Sequence, residues 1–382
     1  MKNYIKTGLF LLFPGFLWAQ NGLLNNGAAI EVTESTTIHI VGDMQHQADG
    51  KVINEGIIKV EKDWIQSSKN TLYTGSGWMS FVGKTNQEIS STSPLTIPNL
   101  RVDNNNTLLL NTALNISNQV DLSHNGNISL EAHDLIINTG ATIVNYDENN
   151  YVITNNIGVL QQEVSTNQVV FPIGNSSYNP AMLSNQGTVD NFRLRVLNYV
   201  EEMDENSVNR TWLIEEETVG GSLVSLDLQW NEEEELNNFS RNQSALVNWT
   251  GTNWASPSNS TEANSTEGYW LQTRSNLTSF SAFTVHSNLL FSQIVTESIS
   301  ANIEIFPNPV KDHFNIRLHA DIETAFIQVF DSKGSIVFQT NKSIGTDGLI
   351  HLSDIRHFAD GVYWVHIVGN DGLVFSKKII KE

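Results

Sequence analysis

The 382-residue chain contains no cysteine, and this absence excludes several kinds of site. Without a thiol there is no disulfide framework, no thiolate zinc site, no cysteine nucleophile and no lipid-modified N-terminal cysteine. Lysine and arginine are also scarce, 21 against 41 aspartates and glutamates, so the formal net charge is −20. Because phosphate contacts need clustered basic side chains, we expect no nucleic-acid partner.

Long apolar runs are missing as well. Residues 8–17 form an apolar run that is shorter than the roughly 20 residues a membrane-spanning helix needs. The run follows Lys2 and Lys6 and precedes Ala19, which is the order typical of a secretory signal peptide. We therefore expect a signal peptide at residues 1–19 and no transmembrane segment after its removal.

What the chain has instead is strand and turn patterning. Short β-branched runs alternate apolar and polar residues, and asparagine-rich turns such as residues 103–106 separate them. Asparagine tolerates the left-handed conformation of turns, and alternation with period two is typical of half-buried strands. We therefore expect an all-β protein with an N-terminal β-solenoid-like repeat region, a central β-sandwich and a C-terminal Ig-like seven-strand β-sandwich.

Residues 20–150 repeat at a nearly constant spacing. The stretches that begin at Ile38 and Ile58 share the order apolar, any, apolar, any, any, Asp, large apolar. Further alternating pairs follow at steps of 21, 21, 20 and 15 residues: Met79/Phe81, Leu100/Val102, Val120/Leu122 and Leu135/Ile137. A period of about 20 residues is typical of coils that stack around one core, as in a β-solenoid. The alternative is a twisted β-sandwich whose strands are evenly spaced.

One rung of this repeat has a more specific pattern. Gly75, Gly77, Phe81, Gly83, Gln87 and Ile89 are followed by Asn99-Leu100-Arg101-Val102. This spacing resembles the rungs of large Bacteroidetes surface proteins, in which a G-x-G-x-x-x-F-x-G-x-x-x-Q-x-I stretch precedes an N-L-x-V/I stretch. The resemblance implies an adhesin-like or structural stalk.

Residues 151–290 combine tryptophans with acidic runs. Five of the nine tryptophans lie within 59 residues: Trp212, Trp230, Trp249, Trp254 and Trp270. Tryptophan rings either stack on sugar rings or anchor a sandwich core. Trp249, Trp254 and Trp270 are the candidate glycan-binding residues. The glutamate runs either ligate Ca²⁺ or form a solvated edge, and the absence of an Asp-x-Asp-x-Asp-Gly loop favours the solvated edge. We expect Arg210 to pair with a neighbouring glutamate.

A linker at residues 291–302 precedes a third region, residues 303–382. Its strands alternate apolar and polar residues, so each can bury one face. Ten residues mark the region in order: Phe306, Pro307, Asn308, Pro309, Gly334, Gly361, Tyr363, Lys377, Lys378 and Lys381. This arrangement resembles the type A C-terminal sorting domain of the Bacteroidetes type IX secretion system, and the ten residues are its sorting-signal motif.

The resemblance implies a route of export and a set of partners. The signal peptide would carry the chain across the inner membrane, and the type IX translocon would then recognise residues 303–382 at the outer membrane. In that family a surface sortase usually removes the domain, and the cargo is released or joined to lipopolysaccharide. The expected partners are therefore the translocon and the sortase, with a surface glycan or lipopolysaccharide attachment as a further candidate. The expected location is the cell surface or the medium.

Recognisable catalytic patterns do not occur in the sequence. It has no Gly-x-Ser-x-Gly elbow, no His-Glu-x-x-His, no Walker loop and no Gly-x-Gly-x-x-Gly before a helix. We assign no catalytic residue, no cofactor and no metal site, and we expect a non-catalytic protein that is adhesin-like or envelope-structural. The alternatives are a carbohydrate-binding cargo and an unrecognised hydrolase, since a glycosidase needs only two carboxylates about 5 to 10 Å apart.

Overall fold

The computed structural model describes residues 22–69, 72–123, 126–200, 205–256, 259–266, 268–287, 303–318, 324–331, 336–345, 348–353, 355–369 and 374–382. The predicted signal peptide, the predicted linker and Gly334 lie outside these residues. The chain divides into two compact units, residues 1–289 and residues 290–382. Strands dominate both units, and the helices of the described residues are two single 3-10 turns, Glu232–Glu234 and Arg241–Gln243. In the described part of the chain no helix has the length and hydropathy needed to cross a membrane.

The first unit begins as a parallel β-solenoid, which confirms the predicted repeat architecture. One of its faces is an eight-stranded sheet of β1 (Leu23–Asn26), β4 (Met44–Ala48), β7 (Trp64–Gln66), β10 (Gln87–Ser91), β12 (Thr107–Asn111), β14 (Asn127–Ser129), β17 (Val152–Ile153) and β20 (Ile173–Gly174). A second, short face holds β2 (Ala29–Val32), β5 (Lys51–Asn54) and β8 (Leu72–Thr74).

The third face is the parallel part of a twelve-stranded sheet. Its parallel strands are β3 (Thr37–Ile40), β6 (Ile57–Val60), β9 (Trp78–Phe81), β11 (Leu95–Val102), β13 (Leu114–Asp121), β15 (Leu135–Ile137), β16 (Thr142–Val144) and β18 (Leu160–Val164). The same sheet continues as four antiparallel strands, in the order β22 (Asp190–Leu197), β23 (Thr211–Glu216), β28 (Ala282–Ser287) and β25 (Ser244–Asn248).

The sequence repeat corresponds to the register of the stacked coils. Ile38 pairs with Ile58, Ile58 with Met79, Met79 with Leu100, and Leu100 with Val120. Equivalent side chains of successive coils therefore lie one above the other. Met79, Leu100 and Val120 are fully buried, because alternation along each strand directs every second side chain into the shared core.

The last predicted step of the repeat is wrong. Leu135 pairs with Leu114 and not with Val120, whose partner in the next coil is Ile143. β13 is eight residues long, so the two short strands β15 and β16 pair with different parts of it. The column of equivalent residues continues at Ile143, on β16. The 15-residue step instead leads to Leu135 on β15, which pairs with the first part of β13.

The glycine and glutamine of the rung pattern close a corner between coils. Nε2 of the buried Gln87 donates to the carbonyls of Val60 and Lys62, at 3.0 and 2.6 Å. Its Oε1 accepts the Gly83 N–H at 2.8 Å. A Cβ on Gly83 would lie 2.5 Å from the carbonyl oxygen of Glu61. Gln87 thus satisfies backbone groups that the turn leaves unpaired, and only glycine fits beside it.

The solenoid continues into the sandwich without a break in hydrogen bonding. Parallel pairing extends beyond residue 150, as far as β20. β18 pairs with β15 in parallel and with β22 in antiparallel orientation. One hydrophobic cluster runs from Val32 to Val285. The sandwich therefore covers an edge at which a parallel stack would expose unpaired backbone groups.

A five-stranded antiparallel sheet completes the sandwich. Its strands are β19 (Val169–Phe171), β21 (Ala181–Asn185), β24 (Val224–Trp230), β27 (Tyr269–Leu277) and β26 (Asn264–Thr266). β24 alternates strictly between buried and half-buried residues. This alternation turns its large apolar side chains toward the core.

In its described residues the second unit has seven strands in two antiparallel sheets and a core of its own. The smaller sheet holds β29 (Ile303–Phe306), β30 (Phe314–Leu318) and β33 (Leu349–Leu352). The larger sheet holds β32 (Ile336–Ser343), β31 (Thr324–Phe330), β34 (Gly361–Gly369) and β35 (Val374–Lys381), in that order. The seven strands and the all-β class agree with the sequence prediction.

Candidate functional site

The structure separates the five tryptophans of the central region into two groups. Trp212 and Trp230 are fully buried, and Trp212 Nε1 donates to the Asn179 carbonyl at 2.9 Å. These two rings anchor the core. Trp249, Trp254 and Trp270, the candidate glycan-binding residues, are partly exposed.

Trp249 and Trp254 face each other across a tight turn that follows β25. Their backbones form an antiparallel bridge, their ring centroids are 5.6 Å apart and their planes meet at 72°. Gly251, with φ of +98°, supplies the left-handed conformation that this turn requires. The Trp249 N–H donates to the Ala282 carbonyl at 2.8 Å, and Ser281 Oγ donates to the Trp249 carbonyl at 2.8 Å. The backbone thus holds the edge-to-face pair beside the first residue of β28.

The tryptophan pair borders a groove on the outer face of the antiparallel sheet. Its volume is about 190 Å³, and it is lined by Leu197, Tyr199, Thr211, Leu213, Trp249, Trp254 and Ala282. Alternation explains its apolar floor, since Val196 and Trp212 point into the core while Leu197 and Leu213 are partly exposed. Tyr199 is 48% exposed and adds a third aromatic ring.

A second cleft of about 170 Å³ adjoins the first, because Leu213 and Ala282 line both. Three charged side chains border it: Arg193, Arg195 and Glu215. We call the two clefts together the outer groove. The end at Trp249 and Trp254 is aromatic, and the end at Arg195 and Glu215 is charged.

The two arginines of the outer groove have different partners. Arg193 Nη2 lies 2.8 Å from Asp134 Oδ2 and forms an ion pair. Arg195 Nη1 donates to the backbone carbonyl of Asn156 at 2.8 Å. Asp134 directly precedes β15, and Asn156 lies between β17 and β18. The last solenoid coils therefore position both guanidinium groups.

Trp270 does not belong to the outer groove. It lies on β27, in the five-stranded sheet, and pairs in register with Trp230. The guanidinium carbon of Arg241 is 4.1 Å from the centre of its ring. Arg241 also binds Glu235 at 2.7 Å and Glu232 at 3.1 Å, and the hydrogen bond to Glu235 raises the pKa of Arg241 above its ordinary value. Trp270 is therefore covered by an ion-paired arginine.

The acidic run at Glu232 to Glu235 is tied into the structure. Arg210 Nη2 lies 3.0 Å from Glu234 Oε1, and both side chains are almost completely buried. Asn179 Nδ2 donates to Glu234 Oε2 at 2.7 Å. Glu234 is thus the partner of Arg210. Over the residues that the structure describes, no group of three or more histidine, aspartate or glutamate side chains is placed to hold a metal ion.

The sorting-signal residues of the second unit join the beginning and the end of the domain. Asn308 Nδ2 donates to the Lys378 carbonyl at 3.1 Å, and Asn308 Oδ1 accepts the Ile380 N–H at 2.9 Å. The Val310 N–H donates to the Ile380 carbonyl at 2.7 Å. Pro307 and Pro309, on either side of Asn308, are exposed. The first motif therefore fastens the basic last strand, β35, along its edge.

The remaining sorting-signal residues lie on the two last strands and in the first one. Tyr363, the third residue of β34, is buried, and its hydroxyl donates to the Ala359 carbonyl at 2.7 Å. Gly361 is the first residue of the same strand. Lys377 and Lys378 are exposed, whereas Lys381 is buried with Nζ 3.8 Å from Asp360. The Phe306 ring, at the end of β29, lies 5.0 Å from the Arg317 guanidinium carbon.

Sequence reasoning did not find Tyr199 or Arg195, and it treated Glu215 only as a member of an acidic run. Each is an ordinary member of an alternating strand pattern or lies just after one. Nothing local distinguishes them from other solvated residues. They become part of one groove because strands that are distant in sequence pair with one another.

Residues 304–382 match the family described as secretion system C-terminal sorting domain. The match confirms the predicted resemblance, and all ten predicted motif residues lie within it. A sorting domain of this kind implies a secreted cargo protein that the secretion system handles.

Ulvan lyase NLR42 of Nonlabens ulvanivorans is 32% identical to the chain over 82 residues. The aligned residues are 21% of this chain and 14% of the lyase. The chain thus spans only a small part of this relative, and the activity in the relative's name is a property of that protein.

Proposed function

We propose that this secreted cargo is a non-catalytic, adhesin-like surface protein that binds carbohydrate in the outer groove. The observation that carries the proposal is the pair Trp249 and Trp254. Two partly exposed tryptophans, fixed edge to face by backbone hydrogen bonds, border a groove with a third aromatic ring at Tyr199.

The chemistry of the groove suits a sugar ring. The C–H faces of a sugar stack on aromatic rings, while its hydroxyl groups need hydrogen-bonding partners nearby. Leu197 and Leu213 supply an apolar floor, and the charged end of the groove supplies donors and acceptors. Because the floor is a regular sheet, little conformational freedom is lost on binding.

The export route forms the second part of the proposal. A signal peptide at residues 1–19 delivers the chain to the periplasm, and the translocon then recognises the sorting domain. A surface sortase removes that domain, leaving the cargo on the cell exterior, joined to lipopolysaccharide, or released. The solenoid coils serve as the stalk of the displayed protein.

Tryptophan substitutions in the full chain test the binding site. We expect Trp249→Ala and Trp254→Ala each to weaken binding of the best ligand from a glycan array by about tenfold, the effect of losing roughly 1.4 kcal/mol of stacking. Isothermal titration calorimetry measures the affinity, and circular dichroism verifies the fold. The matched control is Trp270→Ala, which removes a partly exposed tryptophan outside the groove.

Two results would contradict the proposal. Unchanged affinity in both groove variants, or no glycan bound by the wild-type protein, would refute the binding site. Turnover of a polysaccharide or peptide by the wild-type chain would refute the non-catalytic role and favour the hydrolase alternative.

A further inference from the structure

Among the residues that the structure describes, one arginine at the charged end of the outer groove has no carboxylate partner. Residues 151–290 contain five arginines and no lysine. Three of these arginines, Arg193, Arg210 and Arg241, pair with carboxylates. The half-buried Arg274 donates to Asn248 Oδ1 and to a backbone carbonyl.

Arg195 borders the groove as Arg193 does, but no described carboxylate pairs with it. Within the described residues its hydrogen-bond partner is the Asn156 carbonyl, which takes one of five guanidinium N–H groups. A planar guanidinium fits two oxygens of a carboxylate or a sulfate group at once. In a chain with a net charge of −20, a groove-lining cation that has no ion pair within the described part of the chain points to an anionic ligand.

Strand register places Arg195 and the tryptophan pair on one line across the sheet. Arg195 lies opposite Leu213, Leu213 lies opposite Ala282, and Ala282 accepts the Trp249 N–H. Since neighbouring strands are about 4.8 Å apart, the line spans about 14 Å. A ligand that contacts both ends is therefore an oligosaccharide chain rather than a single sugar.

Glu215 also lines the charged end, and it is compatible with such a ligand. It lies opposite Arg193 in register, and Arg193 is already paired with Asp134. A carboxylate here accepts hydrogen bonds from sugar hydroxyls, while Arg195 binds the acidic group.

We infer that the outer groove binds an acidic polysaccharide, with one sugar stacked on Trp249 and Trp254 and a carboxylate or sulfate group of a later sugar paired with Arg195. The inference rests on the proposed function and adds the class of ligand. The observation that supports this inference is the line across the sheet from Arg195 through Leu213 and Ala282 to Trp249.

Matched pairs of charged and neutral oligosaccharides test the ligand class. The probes are oligogalacturonate with its methyl ester, and a sulfated galactan oligosaccharide with its desulfated form. We expect the full-length wild-type chain to bind at least one charged probe about tenfold more tightly than its neutral partner, as one charge-assisted pair provides. Arg195→Gln should abolish this preference. Lys51→Gln, which removes the same charge from an exposed residue of the solenoid, should retain it.

The outcomes separate this inference from the proposed function. Preference for one charged probe identifies carboxylate or sulfate as the source of the anion, and either result supports the inference. Equal binding of charged and neutral probes, or an equal loss in Lys51→Gln, overturns it while the tryptophan variants still test the groove. If Trp249→Ala also binds like the wild type, the groove is not the site and both proposals fall.

Discussion

At the scale of single residues, His46 shows how the solenoid interior treats a polar side chain. It is completely buried, its ring lies 4.9 Å from that of Trp64, and its Nδ1 is 3.4 Å from the Asn25 amide nitrogen. Asn25, His46 and Gln66 are register partners in successive coils, so three buried polar residues form one column. Burial penalises the charged ring and lowers the pKa of His46 from 6.5 to about 4.

This pKa predicts acid sensitivity with a definite sign. Between pH 6.5 and 4 the unfolded chain binds a proton that the folded chain does not, so the free energy of unfolding falls as the pH falls. The slope is at most about 1.4 kcal/mol per pH unit, and it fades to about a tenth of that value one pH unit above 6.5. Urea denaturation between pH 7.5 and 5 measures it. We expect His46→Gln, which introduces the residue type of the next coil, to flatten the curve.

The exposed His39 provides the control for this measurement. Its side chain is 49% exposed, so His39→Gln should leave in place the acid slope that the burial of His46 causes. The interpretation fails if His46→Gln and the wild type lose stability in parallel over this range.

At the scale of elements, β35 depends on a side chain from the other end of its domain. Asn308 makes two hydrogen bonds to the backbone of this edge strand, whose Lys377 and Lys378 remain exposed. The two separate parts of the sorting motif are therefore one structural feature. The proline-asparagine-proline stretch holds the basic strand in place.

Removing the Asn308 side chain should loosen the end of β35. We expect Asn308→Ala to speed amide hydrogen exchange at Ile380 by about three- to tenfold, because one hydrogen bond contributes roughly 1 kcal/mol. Exchange followed by NMR or mass spectrometry on the full chain measures this change. Asn341→Ala, at an exposed asparagine of β32, serves as the control. Unchanged protection at Ile380 would show that β35 does not need the Asn308 contact.

At the scale of the whole molecule, the solenoid and the sandwich share one core. Isolated repeat arrays unfold coil by coil, since each coil contacts only its neighbours. Here β18 belongs to both parts, with Leu135 on one side of Leu160 and Leu194 on the other. We therefore expect the last coils and the sandwich to unfold as one cooperative unit.

Leu160→Ala tests this cooperativity. Truncating this fully buried side chain should cost about 2 to 5 kcal/mol. In hydrogen exchange the protection of β15, β22 and β23 should fall by the same amount, whereas Gln161→Ala on the outward side of the strand should leave it unchanged. Loss of protection on only one side of β18 would contradict a shared unit.

Several features could be predicted from the sequence because they depend on neighbouring residues or on exact repetition. Alternation along short runs indicated strands, and the recurrence from Ile38 to Val120 is the register of the stacked coils. The order of motifs in residues 303–382 indicated the sorting domain. The repeat prediction failed at Leu135, because spacing alone does not reveal that β13 pairs with two strands.

The sequence by itself determined the all-β class, the stacked coils and the sorting domain. Only the tertiary structure decided that Trp212 and Trp230 are buried while Trp249 and Trp254 border a groove, and that Arg195 lies at its other end. The four are the same residue type, so the residue type alone does not distinguish a buried tryptophan from one in the groove. Their environments differ because β25 pairs with β28, and β28 with β23, across long stretches of chain. Such pairings depend on the packing of the whole core and leave no local pattern in the sequence.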